Sequence, residues 1–385
     1  MTKVAVTGQV LLWAIERSGL NIRDLRGKFP KIVEWTDGAD SPTLRQLESL
    51  AKVTRTPLGF FFLEKPPVDR LPIPHFRTTE DQGQGGPSPD LLESVQVMQQ
   101  RQAWLREYLI NLGQDKLEFV RSEEVGSNPS SVAQQLRKIL GFDEHWAAVQ
   151  ATWSDALRSL REAMERSGIV VVVNGVVGNN THRKLSVSEF RGFVLVDDYA
   201  PLVFVNGSDG KAAQMFTLAH ELAHVVFGSS AAFDLRQMQP SSNRTEKACN
   251  AVAAEFLVPE SLLRSIWPSV RDSSAPFQEL AREFKVSAIV AARRALDLRL
   301  VDRARFLDFY QDYLNQEFRA TSRRGEGGDF YLSQNLKIGR RFALAVVQAT
   351  KEGKLLYHDA YHLTGLFGNT FERFSDALIR ERTNG

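Results

Sequence analysis

The chain has 385 residues, room for two or three domains and a full hydrophobic core. Its 48 basic and 46 acidic side chains leave a formal charge of +2, too even to argue for nucleic acid or a membrane from bulk charge. A single cysteine, Cys249, excludes an internal disulfide. With no secretory hydrophobic segment after Met1 and no apolar run that could span a bilayer, the expectation is a soluble, cytoplasmic protein with no membrane partner.

Residues 1–65 read as a domain of short helices. Val10, Leu11, Ala14 and Ile15 form a helical stripe that Gly19 ends, and a second short helix fits 22–28. Ser41 offers an N-cap with Pro42 in the first helical position, and Leu44, Leu47, Leu50 and Ala51 make the buried face behind them. With Trp35 closing the preceding segment, this run resembles a Cro/repressor-type helix-turn-helix. Leu25 to Trp35 spans about four residues fewer than such a domain uses, which removes about one turn of the recognition helix. Ten Lys/Arg against seven Asp/Glu in this stretch make no basic stripe. Two readings stand: DNA binding through this domain, or a helical platform that docks on the catalytic domain or a partner protein.

Residues 66–90 are an arm and linker. The L-P-I-P-H-F-R stretch 71–77 is stiffened by proline, with His75 read as a surface or interface residue, and 81–89 is rich in Gly, Pro and Ser. The next stretch, 91–270, reads as the catalytic domain. It opens with helices over 91–112, after Asn128, and over 155–166, with Trp104, Trp146 and Trp153 packing them together. The period then changes to strands at 168–173, 190–196 and 201–206, and an edge strand beside the site would hold an extended substrate by backbone pairing.

The turn pairs Asn206-Gly207 and Asp209-Gly210 lead into Phe216-Thr217-Leu218-Ala219-His220-Glu221-Leu222-Ala223-His224. Two histidines four apart share one helix face, so both imidazoles can reach one zinc ion at about 2.0–2.1 Å. Glu221 does not ligate; it stands beside the metal as a base for water. Leu218, Leu222, Val225 and Val226 cover the other side, and Gly228 suits the left-handed position past the helix end.

Two histidines leave a catalytic zinc one protein ligand short. The following helix offers Glu246 and Glu255, nine positions apart and so about half a turn out of phase; both cannot face the metal. Glu246 shares its face with Asn250 and the small Ala253, and is the choice over Glu255. Cys249 fits as a small helix-packing residue.

These stretches resemble the ImmA/IrrE family of bacterial zinc metallopeptidases, in the branch with an N-terminal helix-turn-helix. The resemblance rests on the L-P-I-P-x-F-R arm, Glu189-Phe190-Arg191-Gly192-Phe193, the strand 201–206, Phe216 to His224, and Glu246-x-x-Cys249-Asn250-x-x-Ala253-x-x-x-Leu257-x-Pro259. It implies Glu246 as the third ligand, opening an E-x-x-A-N helix in which Cys249 stands where alanine is usual. It also implies a repressor-like protein substrate cut in a stress, phage or mobile-element response.

Residues 271–385 read as a C-terminal helical domain. Its first part, 275–300, is helix-turn-helix-like with Val286-Ser287 opening the second helix, and is expected to pack on the catalytic core. Further on, His358 and His362 are also four apart, but no third ligand is placed nearby, so a second metal is not expected. The expected fold is α+β: mostly helical, with a small twisted sheet on an HExxH zinc helix and an N-terminal helix-turn-helix-like domain. The expected function is zinc-dependent endoproteolysis, with Zn2+ on His220, His224 and Glu246 and with Glu221 as base. The rival is a DNA-binding transcriptional regulator or an antitoxin-like partner protein whose zinc domain senses rather than cleaves. Nothing in the pattern specifies an oligomeric state.

Overall fold

A computed structural model describes residues 3–67, 87–233, 243–320 and 330–383. The proline-stiffened arm with His75, Phe76 and Arg77, and most of the linker after it, lie outside these described residues. The fold is α+β and mostly helical. The described residues divide into two compact units, those up to 97 in one and those from 98 on in the other. Among them, no helix is long and apolar enough to cross a membrane.

The first unit holds α1 (Gly8–Arg17), α2 (Ile22–Leu25), α3 (Ile32–Thr36) and α4 (Leu44–Thr54). The stripe Val10, Leu11, Ala14 and Ile15 is buried against Leu25, Ile32, Trp35, Leu47 and Leu50. Gly8 permits this approach, since a Cβ there would collide with the Thr36 carbonyl. A capping box opens α2: Asn21 Oδ1 accepts from Asp24 N and Asp24 Oδ2 from Asn21 N, each at 3.1 Å.

The start of α4 differs from the sequence reading. Thr43, not Ser41, is the N-cap; its Oγ1 accepts from Gln46 N at 3.4 Å, and Gln46 Oε1 accepts from Thr43 N at 2.8 Å. The reciprocal pair satisfies two orphan donors, whereas Ser41 has Leu44 three residues on and no such partner. Pro42 lies outside the helix, its carbonyl accepting from Val4 N at 2.9 Å. With the start moved, Leu44 stands 46 % exposed instead of joining the buried face. The compression between Leu25 and Trp35 is visible as a five-residue α3, with Trp35 buried beside Phe29.

Helix α5 (Pro89–Asn111) carries the chain into the second unit. There follow α6 (Pro129–Leu140) and α7 (Trp153–Arg166), N-capped by Asn128 and Thr152. Next come β1 (Val170–Asn174), β2 (Val176–Val177), β3 (Asn180–Lys184), β4 (Gly192–Leu195) and β5 (Leu202–Asn206). Then come α8 (Lys211–Phe227), β6 (Ala231–Phe233), α9 (Arg244–Leu257), α10 (Glu260–Val270), α11 (Pro276–Phe284), α12 (Ala288–Asp297) and α13 (Arg303–Ala320). The chain closes with α14 (Phe330–Ile338), α15 (Arg340–Lys351), α16 (Tyr357–Thr364) and α17 (Asn369–Thr383).

The main sheet has the order β1-β5-β4-β6, with β1 parallel to β5 and the other pairs antiparallel. Its edge on the β4 side is therefore β6, a three-residue strand that the periodicity did not reveal. The hairpin β2–β3 was also unforeseen, because β3 is Asn-Thr-His-Arg-Lys with no apolar alternation.

Both faces of this sheet are covered. Val171, Val194, Val203 and Val205 pack with Leu218 and Leu222 of α8. By the pleat, Phe193 and Phe204 point the other way, their rings stacked at 4.7 Å. On that second face a Cβ at Gly339, between α14 and α15, would lie 3.0 Å from Val170 and 3.4 Å from Val172. Double coverage is why β1 and β5 are near-continuous apolar runs. The C-terminal helices thus share one packed unit with the stretch that precedes them.

The α11–α12 hairpin packs on the core as expected: Ile289, Val290, Ala291, Ala292 and Ala295 are buried. Arg294 is engaged internally with Glu255, and Arg293 Nε donates to Asp297 at 3.0 Å.

Candidate metal centre

Helix α8 is buried on nearly every side, and both of its histidines are fully inaccessible. It ends at Gly228, which takes the left-handed conformation (φ 74°). A preceding loop closes this end: Arg121 N and Glu123 N donate to the Val225 and Val226 carbonyls at 3.1 and 3.0 Å. Helix α9 starts where Asn243 Oδ1 accepts from Thr245 N at 2.8 Å, which sets Glu246 in the first turn. A carboxylate there sits at the positive end of the helix dipole.

The two helices bring His220, His224 and Glu246 to one point. The two Nε2 atoms are 3.1 Å apart; Glu246 Oε2 lies 3.2 Å from Nε2 of His220, and Oε1 3.1 Å from Nε2 of His224. Tetrahedral ligands at 2.0–2.1 Å from a zinc ion are about 3.3–3.4 Å from one another. The trio is therefore spaced as a metal's donor set, and a metal can bind it.

Electrostatics agree. Burial pulls the His220 imidazole down to about 4, against the raising effect of Glu246, so the ring is neutral at pH 7. Burial works against ionisation of Glu246, but the two imidazoles that face it outweigh this and hold the carboxyl down to about 2. A neutral His220 imidazole and an ionised Glu246 carboxylate are the forms in which these side chains bind a divalent cation.

Glu221 lies among these groups and is fully buried, and neither of its oxygens has a hydrogen-bond partner among the described residues. Burial, and then the charge of Glu246, push its carboxyl well above the usual range. A buried carboxyl without partners is costly unless a cation or substrate proton faces it. Gly192 of β4 makes this position possible. A Cβ there would lie 2.5 Å from Thr217 Cγ2, 2.8 Å from the Phe204 carbonyl and 3.2 Å from Glu221 Oε1.

Residues 164–296 match the family model described as the IrrE N-terminal-like domain, a peptidase family. That stretch is of ImmA/IrrE metallopeptidase type. It covers about a third of the chain and contains the whole site. A second model, a domain of unknown function (DUF8813), matches residues 338–379. No curated protein matches the chain.

Glu255 lies elsewhere. It is buried against Arg294 and accepts from Ser130 Oγ at 3.4 Å, and its own carbonyl accepts from Arg137 at 3.0 Å. Cys249 is fully buried in the core behind the site. Two contributors were not foreseen. Asn250, four residues after Glu246, has its Oδ1 3.0 Å from Nδ1 of His220; its place on the Glu246 face was the available signal. Gly192 had only the weaker signal of a glycine inside a strand. His358 and His362 are exposed, and no third metal-type side chain joins them among the described residues.

Proposed function

We propose that this protein is a zinc-dependent endopeptidase that cleaves a repressor-like regulatory protein in a bacterial stress, phage or mobile-element response. The observation that carries the reading is the buried trio of donors with an unpartnered carboxyl, Glu221, beside it. His220, His224 and Glu246 would hold the ion. A zinc ion bound there supplies Lewis acidity, activating water and polarising a peptide carbonyl.

The chain's own residues do the rest. Asn250 keeps the Nδ1 proton on His220, which leaves Nε2 as the ligating lone pair. Glu221 takes the proton of the attacking water and passes it to the departing amine nitrogen. Burial under the hydrophobic shell of α8 raises the proton affinity of the Glu221 carboxyl, which suits a base for that water. The strand β6, paired to β4 beside Gly192 and at the edge of the sheet among the described residues, would receive an extended peptide by backbone pairing.

The test compares wild type with Glu221→Gln for zinc content and for cleavage of proteins encoded beside this one. Both should hold zinc, and only the wild type should cut. Zinc bound by both proteins with no cleavage by either would move the assignment to a sensor or a binding partner. Operator binding by the first unit is then the measurement that separates these two.

A further inference from the structure

The C-terminal unit carries a second pair of histidines whose geometry repeats that of the buried pair. On α16, the Nε2 atoms of His358 and His362 are 3.2 Å apart, with ring planes at 64°. In the buried pair they are 3.1 Å apart, also with planes at 64°. Both separations are close to the edge of a zinc tetrahedron, about 3.3–3.4 Å. Asp359 Oδ1 lies 3.5 Å from Nδ1 of His358, the ring nitrogen turned away from the pair. A carboxylate at that nitrogen orients a ligating imidazole.

Unlike the first pair, this one faces outward. Leu356, Tyr357 and Phe367 around it are 70, 52 and 61 % exposed, and the Phe367 ring lies 6.4 Å from that of His362. Large apolar side chains gathered at one exposed place mark a surface that meets another. The chain provides two donors of the four that a closed zinc site needs, and no third from the described residues joins them.

We propose that α16 is one half of a transition-metal site, completed by α16 of a second copy of this chain across a two-fold axis. His358 and His362 of each copy then hold one zinc ion. A two-fold operation doubles the donors without any new residue type. The two Asp359 carboxylates offset the charge of the ion, and the exposed aromatic side chains of both copies close around it. The site is separate from the candidate peptidase centre and does not depend on its activity.

The test uses the full chain, stripped with a chelator and titrated with zinc sulfate. Mass is read by light scattering and metal content by atomic absorption. The wild type should double its mass on zinc addition and revert with chelator. In the His358→Gln/His362→Gln variant, uptake should fall by about half an equivalent per chain, and the mass should stay that of one chain. The first site contributes equally to both proteins, so its occupancy cancels in the difference. Because both histidines are exposed, the variant is expected to fold, and its circular dichroism checks this. The proposal is overturned if the wild type stays a single chain at saturating zinc, even with the pair metallated. Equal dimerisation of the double variant would overturn it too.

Discussion

Asn250 Oδ1 lies 3.0 Å from Nδ1 of His220, so a residue of α9 sets the proton on a histidine of α8. His224 has no counterpart: its Nδ1 is buried without a hydrogen-bond partner among the described residues. The two imidazoles are therefore held unequally, and only His220 has a hydrogen-bond partner behind its ligating nitrogen among the described residues. Asn250→Ala should weaken zinc binding by about 10–100-fold, the usual cost of losing a partner behind a ligand. Asn250→Asp keeps an acceptor and should recover most of the loss. Competition with a chromophoric chelator reads both. An unchanged affinity in Asn250→Ala would make the contact incidental.

The two glutamates of α9 should separate cleanly. Glu246→Gln removes the donor that bridges the two imidazoles, and zinc should be lost while the fold remains. Glu255→Gln leaves the trio untouched but removes the counter-charge of Arg294, whose side chain is only 11 % exposed and keeps its bond to the Val258 carbonyl. Removing one partner of such a buried pair costs about 3 kcal/mol or more. That variant should therefore bind zinc normally and unfold at lower denaturant. Loss of zinc in Glu255→Gln, with the fold intact, would reverse the assignment.

The parts of this site that are readable in the chain are those with a local period. His220 and His224, one turn apart, and Glu246 with Asn250, one turn apart, define two faces that need only to meet. The strands β1 and β5 declare themselves through apolar runs. What the chain hides is long-range. That Gly339 lies against Val170 and Val172 depends on segments far apart in sequence, which no window of residues connects. The polar hairpin β2–β3 and the three-residue β6 carry no alternation to detect. Thr43 is a different case: its T-x-x-Q signature is present in the chain, next to a Ser41-Pro42 pair that also reads as a helix start but has Leu44 where a capping partner would stand.

Gly192 should tolerate nothing larger. Its missing side chain is the space into which Thr217 and the Glu221 carboxyl fit, between β4 and α8. Gly192→Ala forces β4 away from α8, at a cost of about 1–3 kcal/mol for overpacking. The displaced carboxyl should lower turnover more than substrate affinity, because the role proposed for Glu221 is proton transfer and not binding. Thermal unfolding and steady-state kinetics test the two parts separately. A variant with wild-type stability would mean that the sheet moves freely there, against the packing described.

Glu165 supplies a pH dependence that has no link to the metal. On α7, its Oε1 accepts from Arg340 N at 2.8 Å and Arg341 N at 3.4 Å, at the start of α15. Burial raises its carboxyl from 4.5 to about 7, and Arg161 and the two backbone donors only partly oppose this. The folded carboxyl thus keeps its proton over a range where the unfolded chain has released it. The contribution of Glu165 to stability then falls as pH rises from about 4.5 through about 7 and is level above, by at most about 3 kcal/mol. Glu165→Gln keeps an acceptor for both backbone donors and removes the titration. Urea denaturation at pH 5 and pH 8 should show the wild type losing stability relative to the variant at the higher pH. An identical difference between the two proteins at both pH values would rule out Glu165 as the source.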